Sequence, residues 1–248
     1  MGVAVSVTTV PDVCAVVTTW IDRRDQKYVC VTGVHGVMES QRDPRLREVH
    51  NAAGLTVPDG VPMVWAGRYA GASTIERVYG PDMMSAVCEL AAERGWRSFF
   101  YGGAPGTADL VAERLAARFP GLRVAGTYSP PFRELTTAED EEVTSMITAS
   151  GADLVWVGLS TPKQERWMAA HVGRFDSPCI LFGVGAAFDI HAGLKRDAPQ
   201  WVRRLGLHWL FRLLQEPRRL WRRYAINNPA FLVSVLRRRP RLVTHQRQ

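Results

Sequence analysis

Cysteine is scarce in this 248-residue chain, and its four copies, Cys14, Cys30, Cys88 and Cys179, lie far apart and mostly inside apolar runs. That excludes a disulfide framework and predicts free buried thiols in a reducing compartment. Zinc-ligand spacing is missing as well. No apolar run approaches the ~20 residues a membrane-spanning helix needs, and the N-terminus has no basic start leading into a long apolar stretch. The sequence therefore predicts a cytoplasmic protein. Internal repeats and low-complexity segments are absent too, so the ordinary hydrophobic content points to a globular chain with a substantial core.

Acidic residues are nearly lacking from one region only. From Lys195 onward there are 14 Lys and Arg against Asp197 and Glu216, a balance of +12, whereas residues 1–194 hold 17 basic and 22 acidic residues, a balance of −5. A mildly acidic body with a strongly basic tail calls for a polyanionic partner: a phosphorylated ligand, a membrane surface or nucleic acid. The division predicts a catalytic or binding body over 1–194 and an appendage over 195–248.

Within the body, the stretch from Asp153 to Gly193 reads strand, polar turn, helix, strand, polar turn. Leu154 to Val157 and Cys179 to Val184 are nearly uninterrupted apolar runs, as expected of parallel strands covered on both faces. The first ends in Ser160-Thr161-Pro162-Lys163-Gln164-Glu165, the second in Gly183-Val184-Gly185 and Phe188-Asp189-Ile190-His191. In an open α/β sheet such carboxyl ends line the ligand crevice. Two readings fit the first turn. One is a capping box, with Thr161 as N-cap, Pro162 at N1 and Gln164 at N3 of a helix to about Ala170. The other is a binding turn, because Lys163, Gln164, Glu165 and Arg166 crowd a helix start that favours anions.

Earlier in the chain, Tyr28 to Thr32 is a strand running into Gly33-Val34-His35-Gly36. Asp43 caps a helix that begins at Pro44 and runs to about Ala53. Leu55 to Val57 leads to Asp59 in a tight turn, where an aspartate is by itself an ordinary structural residue. A helix over Val61 to Tyr69 follows. Arg77 and Tyr79 then precede a helix from Pro81 to Gly95, at its positive end. Ser98 to Tyr101 (strand), Gly102-Gly103 to Gly106 (turn), Thr107 to Phe119 (helix) and Leu122 to Gly126 (strand) make a βαβ unit whose glycine-rich turn admits a diphosphate. Its helix should bury Leu110, Val111, Leu115 and Phe119. The turn is not GxGxxG and no acid follows Val124, so a dinucleotide is disfavoured. Thr136 and Glu139 form a capping box for a helix that turns Val143, Met146 and Ile147 inward.

Beyond Gly193 the pattern becomes short helices rich in Arg and Trp. Leu207, Leu210, Phe211 and Leu214 form an apolar face, and Arg218, Arg219, Arg222 and Arg223 follow the Pro217 break. Arg and Trp beside apolar faces resemble an interfacial membrane segment, the alternative being a solvated basic helix packed on the body. The fold expected is thus α/β: a Rossmann-like parallel sheet flanked by helices, with a basic helical C-terminal appendage.

Several separated blocks, in order from about Val29 to Tyr224, resemble the WecG/TagA/CpsF glycosyltransferases. They are Pro58-Asp59-Gly60, Arg77 with Tyr79-Gly80-Pro81-Asp82, Tyr101-Gly102-Gly103, Gly158 to Glu165, Gly183-Val184-Gly185 through Asp189, Ala198-Pro199, Trp209 and Glu216-Pro217-Arg218. The resemblance implies an inverting enzyme that moves a sugar from a UDP-sugar to a lipid-diphosphate-linked saccharide in cell-surface polysaccharide synthesis, such as exopolysaccharide, capsule or teichoic acid linkage. Such enzymes lack the metal-binding Asp-x-Asp, and so does this chain, whose nearest imitation is Asp189-Ile190-His191. No cofactor or metal is expected, and the partners implied are the UDP-sugar, the lipid-linked acceptor and the anionic inner face of the cell membrane. A homo-oligomer is left open.

Carried onto this sequence, the resemblance makes Asp59 the general base, with Thr32, Arg77 and Gln164 as active-site polar groups. Arg218, Arg219, Arg222 and Arg223 become diphosphate contacts. His35, Tyr79, Gly102, Gly103, Thr161, Lys163, Glu165, Gly185 and Asp189 are assigned to substrate binding. The chain departs from the family after Thr32, where many members have Asn two residues on and this one has Val34 followed by His35. Two rivals are weaker. A nicotinamide-dependent oxidoreductase would need the missing dinucleotide fingerprint, and a nucleic-acid-binding protein would explain the tail but not the polar strand ends.

Overall fold

Residues 1–243 are described by a computed structural model. The apolar runs form six strands, β1 (Lys27–Thr32), β2 (Leu55–Pro58), β3 (Arg97–Gly102), β4 (Arg123–Tyr128), β5 (Leu154–Gly158) and β6 (Ile180–Gly183). All pairings are parallel, in the order β2-β1-β6-β5-β3-β4, with Cys30, Gly183, Val157 and Tyr101 side by side across the four central strands. This is the Rossmann-like sheet the sequence predicts.

Alternation along the strands splits the core into two layers. On β5, Leu154 and Trp156 face one layer, Val155 and Val157 the other. The first is covered by α1 (Val10–Asp22), α5 (Gly80–Arg94) and α6 (Thr107–Arg118), through Val13, Val17, Met83, Met84, Val87, Val111 and Leu115. The second is covered by α7 (Thr137–Ser150) and α8 (Lys163–His171), through Val143, Ile147 and Met168. Each such side chain taken from water contributes about 1.5–3 kcal/mol.

From β1 the chain steps outward to β2 through α2 (Val34–Arg42) and α3 (Pro44–Ala52). It then crosses by α4 (Val61–Tyr69) and α5 to β3, on the far side of β6 and β5. The change of direction opens a crevice beyond the carboxyl ends of β1, β2, β5 and β6. A short helix, α9 (Ala187–His191), follows β6 along its rim. At the opposite edge of the sheet from β4, the first residues run beside β2: the Ser6 amide donates to the Thr56 carbonyl and the Ala4 amide to Asn51 Oδ1.

The tail forms α10 (Gln200–Arg204), α11 (His208–Gln215) and α12 (Pro217–Arg237). Contrary to the short helices expected, α12 is 21 residues long and continues through Pro229. Its Leu220, Asn227, Phe231 and Val235 are buried at helical spacing, and the last two share an apolar cluster with Val37, Met38, Met63, Met1, Val3 and Val5.

Several local expectations are corrected. The capping box at Thr161 does not form: α8 starts at Lys163 behind a cis Thr161–Pro162 peptide, and Thr161 Oγ1 donates to Glu165 Oε1 at 2.8 Å instead. Leu110 and Met146 are exposed, because each lies at the margin of a buried stripe, formed by Val111 and Leu115 in α6 and by Val143 and Ile147 in α7. Helix α1 was not expected at all. Its start is a capping box between Thr9 and Asp12, with Asp where Glu or Gln gives the usual signal. The box at Thr136 and Glu139 forms as expected.

Candidate active site

At the end of β2 the backbone of Asp59 leaves the sheet while its amide still donates to the Thr32 carbonyl of β1, at 2.9 Å. Gly33 is pressed against this turn. A Cβ there would stand 2.9 Å from the Asp59 carbonyl oxygen, so only glycine lets the two strand ends close up. The Asp59 carboxylate accepts on Oδ1 from Arg77 Nε at 3.3 Å and Nη2 at 3.2 Å, and about a third of its side chain stays open, at 31%. Burial of the carboxyl pushes its pKa up, against the pull of Arg77 and Arg212. Such a group is a proton acceptor held above the ordinary carboxylate range.

Arg77 is itself clamped, with its guanidinium 4.3 Å from the centre of the Tyr79 ring. The Tyr79 hydroxyl donates to Asp197 Oδ1 at 2.6 Å, and burial together with that carboxylate pushes the phenol pKa up.

Across the crevice, the turn after β5 offers Ser160, Thr161 and Gln164. Gln164 is buried at the start of α8. Its Nε2 donates to Glu165 Oε1 at 3.1 Å, while its Oε1 is buried with no protein partner. Glu165 is fully buried behind it and bonds Thr161 as well, so it holds the turn rather than lining the cleft. Gly185, with φ 50°, leaves room for Gln164: a Cβ there would come within 3.2 Å of Oε1. Thr32 Oγ1 is a second buried oxygen with no partner. Gln164 lines the cleft, whereas Thr32, expected among its polar groups, is buried behind the lining formed by Val31 and Gly33.

The third wall comes from the tail. His208 and Arg212 of α11, and Arg219, Arg223, Tyr224 and Asn227 of α12, line the same cleft as Asp59 and Gln164. Arg219 and Arg223 are four residues apart and share a helix face. Arg218 and Arg222 lie on the other side, both exposed, with Arg222 over the Trp221 ring at 5.3 Å. Of the four arginines expected at a diphosphate, the structure brings two to the cleft. It adds Arg212, His208 and Lys195, which the sequence reading missed. Arg212 carried no local signal, since it stands on α11 and the break at Glu216 separates it from the arginines of α12.

His35 lines the cleft from α2, with Nδ1 3.3 Å from Asn227 Nδ2. Asn227 Oδ1 accepts from Arg42, which fixes the amide's orientation and makes His35 Nδ1 the acceptor. Burial and Arg223 lower its pKa to about 4. Asp189 is at the rim, paired with Lys195 at 2.6 Å, and Lys195 is also 3.4 Å from Glu216. Lys163 is exposed and outside the cleft; Gly102, buried, and Gly103, half-buried, also lie outside it and pack the end of β3 against Gly158. Among the described residues, no group of three or more His, Cys, Asp or Glu side chains is placed to hold a metal ion.

The cleft thus gathers Asp59, Gln164 and the cations Arg212, Arg219 and Arg223 in one lining, with Asp189 paired to Lys195 at its rim. The family model described as Glycosyl transferase WecG/TagA/CpsF family matches residues 1–244. Curated relatives include an N-acetylglucosaminyldiphosphoundecaprenol N-acetyl-beta-D-mannosaminyltransferase of Bacillus spizizenii (strain W23), 30% identical over 89% of this chain and 82% of that protein. Proteins of the same description from Bacillus subtilis (strain 168) and Staphylococcus aureus (strain MW2) are 25% and 28% identical, over 88% and 76% of this chain and 82% and 71% of theirs. With the family model covering nearly the whole chain, the protein belongs to the WecG/TagA/CpsF family of glycosyltransferases.

Proposed function

We propose that the protein is an inverting, metal-independent transferase that moves an N-acetylhexosamine from a UDP-sugar to a polyprenyl-diphosphate-linked N-acetylglucosamine. The observation that carries this reading is that Asp59 and the arginines Arg212, Arg219 and Arg223 line one cleft. Asp59 takes the proton of an acceptor hydroxyl as its oxygen bonds to the anomeric carbon. The bond from that carbon to the UDP oxygen breaks on the opposite face, and the arginines take up the charge of the departing diphosphate. The acceptor and the sugar are those in the names of the relatives; the UDP carrier follows from the family resemblance and from the need for an anionic leaving group. The reading is tested by offering a panel of UDP-sugars with a lipid-diphosphate-N-acetylglucosamine acceptor and weighing the product. Absence of a disaccharide product with every donor would sink it.

Cationic side chains can neutralise a diphosphate without a divalent ion. Transfer should therefore persist in excess chelator, and an assay with and without added magnesium or manganese checks it. Loss on chelation with recovery on adding metal would reopen Asp189 and His191 as ligands.

The base is held by the strand turn, so Gly33→Ala should lower turnover about a hundredfold. A displacement of about 1 Å at a reacting group suffices for that. Steady-state rates beside a thermal melt separate this loss from unfolding.

The tail also supports attachment to a membrane surface, which we place at the inner face of the cell membrane. Trp201 (64% exposed), Leu205 (66%), Leu214 (75%) and Trp221 (52%) stand out from a region of high positive charge. No described helix is long and apolar enough to cross a membrane. Apolar insertion of these side chains, with about 1 kcal/mol from each arginine near anionic lipid, would bring the cleft to an acceptor that cannot leave the bilayer.

A further inference from the structure

We infer that His208, supplied by the tail, is a positioning residue that holds Arg77 on Asp59 through a fixed relay of hydrogen bonds, Asp59–Arg77–His208–Tyr79–Asp197. The proposal rests on the reading of Asp59 as the base. It concerns how that base is tuned.

The proton positions follow from the partners. The Tyr79 hydroxyl has one proton, and it goes to Asp197 Oδ1 at 2.6 Å. His208 Nε2, 3.1 Å from the same hydroxyl oxygen, must therefore be the donor in that contact. Arginine can only donate, so His208 Nδ1, 3.4 Å from Arg77 Nη2, must be the acceptor. One neutral tautomer satisfies both bonds, with hydrogen on Nε2. A protonated ring would set N–H against N–H at Arg77. The surroundings agree: burial, Arg77 and Arg212 lower the His208 pKa to about 3, with Arg203 adding to them and Asp197 opposing. The ring also meets Tyr79 edge to face, 5.0 Å between centroids at 75°.

Because Arg77 Nη2 serves both His208 and Asp59 Oδ1, the histidine fixes where the guanidinium lies. Arg77 draws the Asp59 pKa down against burial, with Arg212 acting the same way and Asp82 the opposite. Tyr224 faces the same carboxylate from α12. Loosening Arg77 should therefore raise the Asp59 pKa. Since the base works only when ionised, the acid limb of turnover should then move to higher pH.

Three measurements test this. In the wild-type protein, nitrogen-15 spectra, with His208 assigned by its loss in His208→Gln, should show Nε2 protonated and Nδ1 bare; a ring protonated on Nδ1 overturns the relay. His208→Leu, similar in bulk but lacking both bonds, should shift the acid limb of kcat upward by about half a pH unit or more. His208→Gln, whose amide can donate to Tyr79 and accept from Arg77, should restore the wild-type limb. An unmoved or lower limb in His208→Leu, or an equal shift in both variants, overturns the proposal, since a purely structural defect would lower the rate without moving the limb. Should Asp59→Asn turn over normally, the base reading fails instead, and the nitrogen spectra still decide the relay.

Discussion

Asp59→Asn is expected to lower sugar transfer by about 10²- to 10⁴-fold, the usual contribution of a positioned general base. Binding of UDP should survive. The amide keeps the shape of the carboxylate, and removing a negative charge beside Arg77 leaves the cleft more attractive to an anion, so UDP affinity should be unchanged or improved. The loss then lies in proton acceptance and not in holding the donor. Single-turnover transfer and calorimetric UDP titration on the folded variant check both halves. Turnover within tenfold of wild type would remove Asp59 from the role. The pH dependence has a definite sign as well. Burial raises the Asp59 pKa, so activity should fall with acidity in a window that begins above the ordinary carboxylate range.

The second large effect separates two pairs of arginines on one helix. Arg219→Ala with Arg223→Ala should lower kcat/KM about 10²-fold or more, because each charge-assisted bond to a phosphate is worth about 1.5–3 kcal/mol. Binding to anionic vesicles should change little. Arg218→Ala with Arg222→Ala should do the reverse: those side chains face away from the cleft, and losing about 1 kcal/mol from each weakens vesicle affinity about 30-fold. Flotation and transfer assays on both double variants read the difference. Equal transfer defects in the two would mean that the faces of α12 do not divide the work.

The strands and most helices were legible because each carries its own local signal. The apolar runs at Leu154 and Ile180, the Asp43-Pro44 start and the Gly95 stop needed no tertiary information. Asp59 and Gln164 were legible as strand-end residues, and the family resemblance gave them roles. His208 and Arg212 were not, since nothing local distinguishes a histidine in Gly-Leu-His-Trp as part of a cleft. Their importance comes from where α11 lands, some 130 residues away in sequence from Arg77 and Tyr79. The split of the four arginines was hidden by the same limit. Composition counts charges, while only the seating of α12, set by Leu220, Asn227 and Phe231, decides which of them turn inward. The failed cap at Thr161 has a local cause: a neighbouring buried carboxylate, Glu165, takes the hydroxyl that the helix start would have used.

Met1, Val3 and Val5 share a cluster with Phe231 and Val235, so the early and late parts of the chain are fastened to each other. Contacts this distant in sequence form late and slowly. During synthesis the sheet can assemble while α11 and α12 are still unmade, but the cationic wall and the grip on Arg77 arrive only when the chain past Val235 has emerged and found the N-terminal segment. At about 5–20 residues per second, the body spends seconds with Asp59 and no cationic wall beside it. In that order of assembly Asp59 and Arg77 are in place before Arg212, Arg219 and Arg223 join them, so the cleft is the last part of the molecule to be completed.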